Sequence, residues 1–280
     1  MIYKHKFDYS ITFACYNEVE YTKKCIDSMI KNREDLSRLI VVDNGSTDGT
    51  REYLNSIPIG KIILNKSNLG CGVAWNQGAM ELQSEWTIIM NNDVVVSNGW
   101  IDKLIGSAIK NNLKVVSPAL IEGSLDYDFE LVTLKAKNKM NNYVRFDAWH
   151  AVCLAVHNSV WSEVGYFRAT PALLGYEDAL FFSELKNKGV QTAITSSSWL
   201  HHFGSVTQSR MKREQGLRAK DGLGNRHNSK LLNQSWFLRK YNKVKNKRQE
   251  KKVIKHEVNS FGVSVHGTCV DGKIRWRSMF

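Results

Sequence analysis

Residues 86–93 read Trp86-Thr87-Ile88-Ile89-Met90-Asn91-Asn92-Asp93, an apolar run that ends in two amides and a carboxylate. A short apolar run of this kind predicts a buried strand. Ligands of open α/β sheets bind at the carboxyl ends of the strands, and amide and carboxylate oxygens suit Mg²⁺ or Mn²⁺. The stretch therefore predicts an α/β fold in which this strand carries metal ligands to the binding edge of the sheet.

Two earlier apolar runs end in the same way. Residues 11–15 lead into Tyr16-Asn17-Glu18, and residues 39–42 lead into the turn Asp43-Asn44-Gly45-Ser46-Thr47-Asp48-Gly49. Because the carboxyl ends of parallel strands meet at one edge of a sheet, we expect the polar residues of these strand ends to converge. Acids, amides and glycines gathered in one place predict a site for a nucleotide and a metal ion.

The spacing of the apolar segments predicts strands that alternate with helices over the first 120 residues. Further strands are predicted at 62–64 and 114–118, and helices at 21–30, 50–54 and 100–111. The segment 68–78 is predicted to open another helix that runs towards residue 82. Such alternation predicts a mostly parallel sheet with helices on both faces. Residues 122–146 lose this rhythm, and the polar stretch 135–142 predicts an exposed hairpin or a mobile loop.

The later part of the chain predicts a helix, a basic extension and a hairpin. The helix covers 176–185, and its first turn carries Glu177 and Asp178, where the helix dipole favours acids. Beyond residue 208 the sequence predicts a basic, mainly helical extension. The chain then closes with a predicted hairpin whose turn is Asp271-Gly272.

The composition is that of a globular protein, since 42% of the 280 residues are hydrophobic and 24% are charged. No apolar run reaches about 18 residues, so no transmembrane segment is predicted. We recognise no secretory signal before the first strand. The five cysteines lack C-x-x-C spacing and are expected to be reduced thiols. Together these features predict a cytoplasmic protein.

The formal net charge of +12 is concentrated after residue 205. The basic residues there include Arg210, Lys212, Arg213, Arg218, Lys220, Arg226, Lys230, Arg239, Lys240, Lys243, Lys245, Lys247, Arg248, Lys251 and Lys252. A patch of this kind predicts a polyanionic partner, either an anionic membrane face or DNA. The alternative is a solvated basic face without a partner.

These motifs, in this order, resemble the family 2 glycosyltransferases, which are inverting enzymes with a GT-A fold. The resemblance runs from about residue 10 to residue 207. It implies a GT-A domain at 1–207, with a nucleotide-sugar half at 1–120 and an acceptor half at 121–207. A basic, mainly helical extension at 208–280 then follows and ends in the hairpin.

The resemblance implies that the first strand end cradles the nucleotide base of the donor. The residues matched to this cradle are Ala14, Tyr16, Asn17 and Glu18. Asp43 would accept a hydrogen bond from the N3–H of uracil or thymine, a charge-assisted contact that implies a UDP-sugar or dTDP-sugar donor. The alternative for Asp43 is a turn or cap residue, and capping is the role we expect of Asp48.

The segment from residue 68 to residue 78 matches the family pattern that lines the ribose and diphosphate of the donor. Asn68, Gly70 and Asn76 are the matched binding residues, and glycine permits close backbone approach at a helix N-terminus that favours phosphate. The alternative is that the glycines only allow a helix to pack on the sheet. We expect that alternative role for Gly78.

Asn91-Asn92-Asp93 occupies the position of the family's D-x-D motif, with an amide in place of the first acid. The resemblance implies that Asp93 binds Mn²⁺ or Mg²⁺ and that Asn91 contacts sugar or ribose, with Asn92 between them. Loss of one carboxylate predicts weaker metal dependence. His202 would complete the metal shell or meet the diphosphate, and its spacing to Gly204 and Thr207 favours it over His201.

Glu177-Asp178 matches the acidic pair at the start of the family's acceptor-side helix. Asp178 is the implied general base that takes the proton from the acceptor hydroxyl. Glu177 would orient the acceptor or support the loop, and a helix-capping role is the alternative. Trp149 and His150 fall where the family builds the wall of the acceptor site, although a core aromatic is an equal alternative for Trp149.

The resemblance implies a transferase that moves a sugar from a nucleotide donor to an acceptor hydroxyl. The acceptor expected first is a surface glycan or lipid-linked saccharide at the inner membrane face, to which the basic extension would hold the enzyme peripherally. The alternatives are a hydroxymethylated base of DNA, as in phage, and a protein. A hypothesis of another class is a non-catalytic GT-A-like module that binds nucleic acid. The sequence specifies neither the donor sugar nor the oligomeric state.

Overall fold

A computed structural model of the chain describes residues 2–81, 84–170, 173, 175–214, 216, 231 and 235–276. The strands in these ranges are β1 (Tyr9–Cys15), β2 (Leu39–Asp43), β3 (Lys61–Leu64), β4 (Trp86–Asn91), β5 (Val94–Val96), β6 (Val115–Gly123), β7 (Val144–Phe146), β8 (Cys153–His157), β9 (Thr192–His202), β10 (His266–Val270) and β11 (Lys273–Trp276). The helices are α1 (Val19–Lys31), α2 (Thr50–Asn55), α3 (Cys71–Glu81), α4 (Trp100–Lys110), α5 (Phe129–Met140), α6 (Ser159–Glu163), α7 (Glu177–Asn187), α8 (Val206–Glu214) and α9 (Trp236–Phe261). The strands and helices predicted before residue 120 and the helix at 176–185 are confirmed.

The strands form one mixed sheet in the order β11-β10-β6-β8-β4-β1-β2-β3, and β9 pairs with β5, β6 and β7 beside this path. Pairing is parallel among β1, β2, β3 and β4. It is antiparallel where β8 lies between β4 and β6. The parallel arrangement predicted for the first half is therefore confirmed, and its strand ends meet at one edge.

The central strands β1 and β4 are buried on both faces, which explains their continuous apolar sequence. Successive side chains of a strand point to opposite faces. Accordingly, Phe13 and Ile88 pack with the apolar faces of α1 and α4, whereas Ala14 and Ile89 pack with α3 and α7. Each fully buried large side chain contributes about 1.5–3 kcal/mol. The central strands of the sheet are thus packed on both faces.

The prediction of an exposed hairpin or mobile loop at 135–142 was wrong, because α5 extends from Phe129 to Met140. The Asp128 side chain caps this helix by accepting from the Leu131 backbone N–H. Its buried side chains include Thr133, Ala136 and Met140, which recur at helical spacing. Lysines and asparagines on the other face dilute this pattern in the sequence. The apolar stripe becomes evident only where α5 covers β9 and the C-terminal segment.

The C-terminal hairpin predicted from Asp271-Gly272 is confirmed. Both turn residues have positive φ, 49° and 70°, as a two-residue hairpin turn requires. The hairpin does not stand apart, since β10 pairs in parallel with β6 and aligns His266 with Leu120. The end of the predicted extension is therefore part of the main sheet. No helix in the described ranges is both long enough and apolar enough to cross a bilayer.

A buried ion pair ties α9 and the start of the hairpin to the sheet. Arg145 on β7 donates from Nε and Nη2 to the two carboxylate oxygens of Glu257, at 2.7 and 2.6 Å. Ser264 Oγ contacts both partners, and both charged side chains are buried. The bidentate geometry offsets the cost of removing two charges from water.

We predict that Arg145→Met lowers the free energy of unfolding by about 3–5 kcal/mol, because it leaves the Glu257 carboxylate buried without its cation. The double variant Arg145→Met/Glu257→Leu should recover part of this loss. Denaturant unfolding monitored by fluorescence measures both. Glu163→Gln, which breaks the exposed pair of Lys114 and Glu163, is the matched control and should leave the midpoint unchanged. Equal midpoints for wild type and Arg145→Met would contradict the prediction.

Candidate active site

A cavity of about 670 Å³ lies at the carboxyl ends of β1, β2 and β4 and is completed by the start of α7 and the segment after β9. This volume is within the usual range for small-molecule sites. The described lining residues are Ala14, Cys15, Tyr16, Asn44, Asn68, Cys71, Trp75, Asn91, Asn92, Asp93, Glu122, Trp149, His150, Ala151, Val152, Gly175, Tyr176, Glu177, Asp178, Ala179, His202, Ser205, Val206, Thr207, Gln208 and Met211. Most of the predicted site residues are therefore brought together in one cavity.

The end of β1 contributes Ala14 and Tyr16 to the cavity, whereas the two residues that follow have another role. Asn17 and Glu18 both have positive φ, 53° and 59°, and turn the chain into α1. The buried Asn17 accepts from the Thr47 N–H and donates its own backbone N–H to Ser46 Oγ, each at 2.8 Å. Neither Asn17 nor Glu18 is among the described lining residues of the cavity.

Asp43 is fully buried at the end of β2 rather than facing the cavity. Its Oδ2 accepts from Arg51 Nε at 2.6 Å, and the backbone N–H of Ser46 donates to the same carboxylate. Among the described residues of this turn, Asn44 is the one that lines the cavity. The N-cap residue of α2 is Gly49, not Asp48 as expected, although the Asp48 carboxylate accepts from the backbone N–H groups of Thr50 at 3.3 Å and Val19 at 3.1 Å, the first residues of α2 and α1.

Only some residues of the segment 68–78, which was predicted to bind the donor, line the cavity. Asn68 lines the cavity, and its Oδ1 accepts from the Gly70 N–H at 2.9 Å. Gly70 has φ 87° and lies against the Leu173 carbonyl, which leaves no room for a Cβ. Gly78 packs on Thr12 in the same way, so its expected packing role is confirmed.

The binding role predicted for Asn76 is not what the structure shows. Its side-chain amide donates to the Phe167 carbonyl at 2.7 Å, and its Oδ1 accepts from the Phe167 N–H at 3.0 Å. Asn76 is also not among the described lining residues. It instead links α3 to the loop that precedes α7, because an amide side chain can satisfy both backbone groups of one residue.

The end of β4 brings Asn91, Asn92 and Asp93 to the cavity beside His202. Antiparallel pairing of β5 with β9 aligns Val94 with His202, so Asp93 Oδ1 lies 3.2 Å from His202 Nε2. Asn92 is buried and donates to Thr22 Oγ1 at 2.9 Å. The structure therefore joins the residues of the first quoted stretch to a histidine more than a hundred positions away.

The spacing argument for His202 over His201 agrees with their placement. His201 is fully buried and does not line the cavity; its Nδ1 lies 2.9 Å from the Tyr127 hydroxyl. Its pKa is lowered to about 4, mainly by burial. Successive side chains of β9 point to opposite faces, so only one of the two histidines can reach the cavity.

Glu122 and His266 are site residues that sequence reasoning missed. His202 Nδ1 donates to Glu122 Oε1 at 3.0 Å, and His266 Nε2 donates to Glu122 Oε2 at 3.1 Å. Glu122 could have been found as an acid at the end of the predicted fifth strand. No sequence signal indicates His266, because its placement follows from the pairing of β10 with β6.

The electrostatics of this group keep His202 charged when no metal is bound. Burial alone lowers the pKa of His202, but the Asp93 and Glu122 carboxylates raise it to about 9. Burial likewise opposes ionisation of Glu122, yet its hydrogen bonds to His202 and His266 hold its pKa well below the usual range. The cavity therefore contains an ionised carboxylate–imidazolium array at neutral pH.

The donor set fits a divalent metal. Asp93 offers carboxylate oxygen and His202 offers Nε2, while Glu122 accepts from Nδ1 as the outer partner of a metal-binding histidine typically does. No cluster of three or more histidine, cysteine or acidic side chains that could hold a metal occurs in the described ranges. The remaining ligands would therefore have to come from the phosphates of a bound nucleotide.

The acidic pair begins α7, where Tyr176 has φ 69° and turns the chain into the helix. Glu177 is buried and accepts from the Gly175 N–H at 2.6 Å, whereas Asp178 is partly exposed to the cavity. Burial raises the pKa of both carboxyls. Enclosure, followed by the charges of Glu177, Asp93 and Asp178, raises the pKa of Cys71 on the cavity wall. The carboxylate that follows β4 and the two carboxylates at the start of α7 thus line the same cavity.

Both residues of the proposed acceptor wall, Trp149 and His150, line the cavity. Trp149 also stacks on Phe182, with 3.8 Å between ring centroids, and its role toward an acceptor stays a prediction. His150 is buried, and its Nε2 donates to the Pro118 carbonyl at 2.7 Å. Burial lowers the pKa of His150 to about 4, which keeps it neutral at pH 7.

Helix α8 contributes Val206, Thr207, Gln208 and Met211 to the cavity lining and contacts the end of β1, which the sequence did not predict. The Tyr16 hydroxyl donates to Glu214 Oε2 at 3.3 Å. Arg210 Nη1 lies 3.6 Å from both Glu18 and Asp48. Basic residues assigned to the extension therefore neutralise the turns that follow β1 and β2.

The sequence pattern described as Glycosyl transferase family 2 matches residues 10–169. The chain belongs to this family. Among its relatives are an uncharacterised glycosyltransferase of Haemophilus influenzae, 31% identical over 107 residues, and the glycosyltransferase GlyG of Streptococcus pneumoniae, 23% identical over 111 residues. These matches cover 37% and 38% of this chain, and they span only 33% and 37% of the relatives' own lengths.

Two solved structures share the fold. The crystal structure of GalNAc-T7 with UDP, GalNAc and Mn²⁺ matches with a TM-score of 0.57 and 15% identity, over 72% of this chain and 45% of that one. The crystal structure of Staphylococcus aureus TarS 1–349 matches with a TM-score of 0.54 and 14% identity, over 74% of this chain and 63% of that one. The fold of this family 2 chain is therefore GT-A, as the resemblance implied.

We predict that Asn76→Ala lowers the free energy of unfolding by about 1–3 kcal/mol, because it leaves the backbone groups of Phe167 without their partners. The affinity of the folded variant for UDP should stay within about twofold of wild type. Thermal unfolding and calorimetric titration with UDP and Mn²⁺ measure the two quantities. Unchanged stability together with weakened UDP binding would instead support the predicted role of Asn76 in binding the nucleotide-sugar donor.

Proposed function

We propose that this family 2 chain is an inverting glycosyltransferase that moves a sugar from a UDP-activated or dTDP-activated donor to an acceptor hydroxyl. The observation that carries this proposal is the cavity that holds Asp178 together with the Asp93–His202 pair. A positioned carboxylate base and a two-residue metal shell in one cavity are the parts that such a transfer needs.

The donor occupies the side of the cavity formed by the ends of β1 and β2 and the start of α3. Tyr16, Asn44 and Asn68 line this side and supply an aromatic ring and two amides for a nucleotide. The N-terminus of α3 favours the diphosphate. The structure of GalNAc-T7 with UDP, GalNAc and Mn²⁺, which shares the fold, supports a donor and a metal of these classes.

Asp93 and His202 would hold Mn²⁺ or Mg²⁺, with Asn91 beside them toward the sugar or ribose. When bound, the ion neutralises charge that develops on the departing nucleoside diphosphate. His202 must release its proton to bind a metal through Nε2. Glu122 retains the Nδ1–H bond and keeps the ring in place while this occurs.

The chemical step proceeds through Asp178. Its carboxylate removes the proton of the acceptor hydroxyl as that oxygen bonds to the anomeric carbon from the face opposite the diphosphate. The bond from the anomeric carbon to the diphosphate oxygen breaks in the same step, so the anomeric configuration inverts. Burial raises the pKa of Asp178 and makes it a stronger base than an exposed aspartate. Glu177 supports the loop at Gly175, and Trp149 offers a face for the acceptor.

We predict that Asp178→Asn lowers kcat by about 10²–10⁴-fold, because the amide cannot accept the proton. UDP affinity should remain unchanged, and nucleotide release from a UDP-sugar in the presence of acceptor measures the rate. Since only the ionised base is active, the wild-type rate should rise with pH through the raised pKa of Asp178. The variant should lack this rise.

Glu184→Gln, an exposed change on the same helix, is the matched control and should retain the wild-type rate. Wild-type protein that binds UDP without turnover of any donor would favour the non-catalytic module instead. Equal rates for wild type and Asp178→Asn would show that Asp178 is not the general base. They would not contradict the proposal that the protein is a glycosyltransferase.

The acceptor is a saccharide carried at an anionic membrane surface. Helix α9 supports this choice because it exposes Phe237, Leu238, Tyr241 and Val244, three of which recur at the i, i+4, i+7 spacing of one stripe. The sequence from 236 to 249 contains six lysines and arginines and no acid. A basic helix that exposes aromatic and aliphatic side chains suits the interface of an anionic bilayer, whereas DNA phosphates require only the charge.

We predict that the protein binds vesicles containing phosphatidylserine more tightly than duplex DNA at the same ionic strength. Phe237→Ser/Tyr241→Ser should weaken vesicle binding about tenfold or more, because it removes apolar area from the inserted face. Lys31→Gln/Lys110→Gln changes two exposed lysines elsewhere and should have a small effect. Co-sedimentation measures binding to vesicles and fluorescence anisotropy measures binding to DNA.

Stronger binding to DNA, with a steep dependence on salt and no effect of the serine variants, would contradict a membrane acceptor. Transfer onto hydroxymethylated DNA would then be the next assay. Equal weakening by the control variant would indicate that net charge alone determines binding.

A further inference from the structure

Four side chains form a continuous line from the cavity to the C-terminal hairpin. Asp93 Oδ1 lies 3.2 Å from His202 Nε2, and His202 Nδ1 lies 3.0 Å from Glu122 Oε1. The other oxygen of Glu122, Oε2, lies 3.1 Å from His266 Nε2. His202 and His266 are almost completely buried, whereas the Glu122 side chain that joins them is 28% exposed.

The chemistry of this line determines which atoms donate. An ionised carboxylate can only accept hydrogen bonds, so the Nδ1–H of His202 and the Nε2–H of His266 both point at Glu122. Each oxygen of Glu122 is therefore occupied by one histidine. The carboxylate cannot rotate about its side chain without losing one of these bonds, and the His202 ring is held with Nε2 toward Asp93.

His266 is itself held by contacts of the C-terminal segment. Parallel pairing of β10 with β6 aligns His266 with Leu120. The Val265 carbonyl accepts from the Leu120 N–H at 2.9 Å, and the Val265 N–H donates to Glu257 Oε2 at 3.2 Å. The buried pair of Glu257 and Arg145 fixes the segment from the other side. The hairpin thus places His266 through long-range pairing, outside the residues that match the family pattern.

We propose that Glu122 and His266 are positioning residues of the metal site, so that the C-terminal hairpin sets the geometry of a metal ligand it does not touch. This inference rests on the proposed role of Asp93 and His202 as metal ligands. Outer-shell partners of metal-binding histidines orient the ring, and their loss weakens metal affinity by about 10–100-fold. Here the outer shell has two layers, because Glu122 orients His202 and His266 orients Glu122.

The test is a titration of the full chain with Mn²⁺ in the presence of UDP, with free Mn²⁺ followed by its electron paramagnetic resonance signal. His266→Phe fills the same space without a donor, and we expect it to bind Mn²⁺ about 10–100-fold more weakly than wild type. His266→Gln retains an N–H donor and should stay within about threefold of wild type. In transfer assays, His266→Phe should require more Mn²⁺ but reach the wild-type kcat at saturating metal.

Two further variants keep the test decisive. Glu122→Gln keeps the shape of the side chain and should weaken Mn²⁺ binding to a similar degree, so the test does not depend on the folding of His266→Phe. His201→Phe is the matched control, since it removes an equally buried histidine of β9 that points away from the cavity. Its Mn²⁺ affinity should equal that of wild type, and thermal unfolding checks that each variant is folded.

The outcomes separate this inference from the proposed function. Wild-type protein that takes up no Mn²⁺ with UDP would refute the metal role of Asp93 and His202, and the positioning role with it. Tight binding by wild type together with equal affinity of folded His266→Phe and Glu122→Gln would overturn the positioning role alone. A loss in His201→Phe as large as that in His266→Phe would also overturn it, since the effect would then be one of packing.

Discussion

The site depends on the pairing of β9 with three other strands. Its parallel register with β6 changes within the strand: Pro118 is aligned with Thr195, but Ala119 is aligned with Trp199. Residues 196–198 are therefore left without partners on β6. The alignment of the later part of β9 with β6 is shifted by these three residues. Because side chains alternate between faces, a slip of one residue would turn His202 away from the cavity and His201 toward it.

Because of this shift in register, β9 carries the proposed ligand His202 and also pairs with the strands that hold it in place. It aligns His202 with Glu122 on β6 and with Val94 on β5, next to Asp93. The same strand pairs with β7, where Arg145 anchors the C-terminal segment through Glu257. The proposed metal ligand His202 thus lies on β9, and its hydrogen-bond partner Glu122 and the anchor Arg145 lie on strands that pair with β9.

Acidic residues line the cavity, whereas the sequence of the proposed membrane contact in α9 is basic. The chain has a net charge of +12, yet its cavity is lined by carboxylates, among them Asp93, Glu122 and Asp178. Such a cavity would repel a diphosphate without a cation. His202, whose pKa is raised to about 9, provides one positive charge, and a divalent ion would provide more. None of the described basic residues of α9 is among the lining residues of this cavity, and under the proposed function anionic lipid would hold the enzyme near its acceptor.

The family match ends at residue 169, before Asp178, His202, α9 and the hairpin. Residues 10–169 contain the strand ends on which the proposed donor site rests. The proposed base, the second metal ligand and the membrane surface lie beyond them. The boundary at residue 207 stays a prediction, although β10 joins the sheet of the first part.

The amino-acid sequence by itself determined the features that depend on neighbours along the chain. The buried strands and the hairpin turn at Asp271-Gly272 follow from local periodicity and turn chemistry, and they were predicted correctly. The choice of His202 over His201 also followed from spacing to Gly204 and Thr207, and the structure places His202 at the cavity.

Only the tertiary structure decided which polar groups face the cavity and which are used inside the fold. Asn76 matched a binding motif, yet its amide is taken up by Phe167, 91 positions away. Asp43 has its carboxylate occupied by Arg51 across a turn. His266 reaches Glu122 over 144 positions. A hydrogen bond depends on distance in space, and local sequence contains no information about which distant strand will supply the partner.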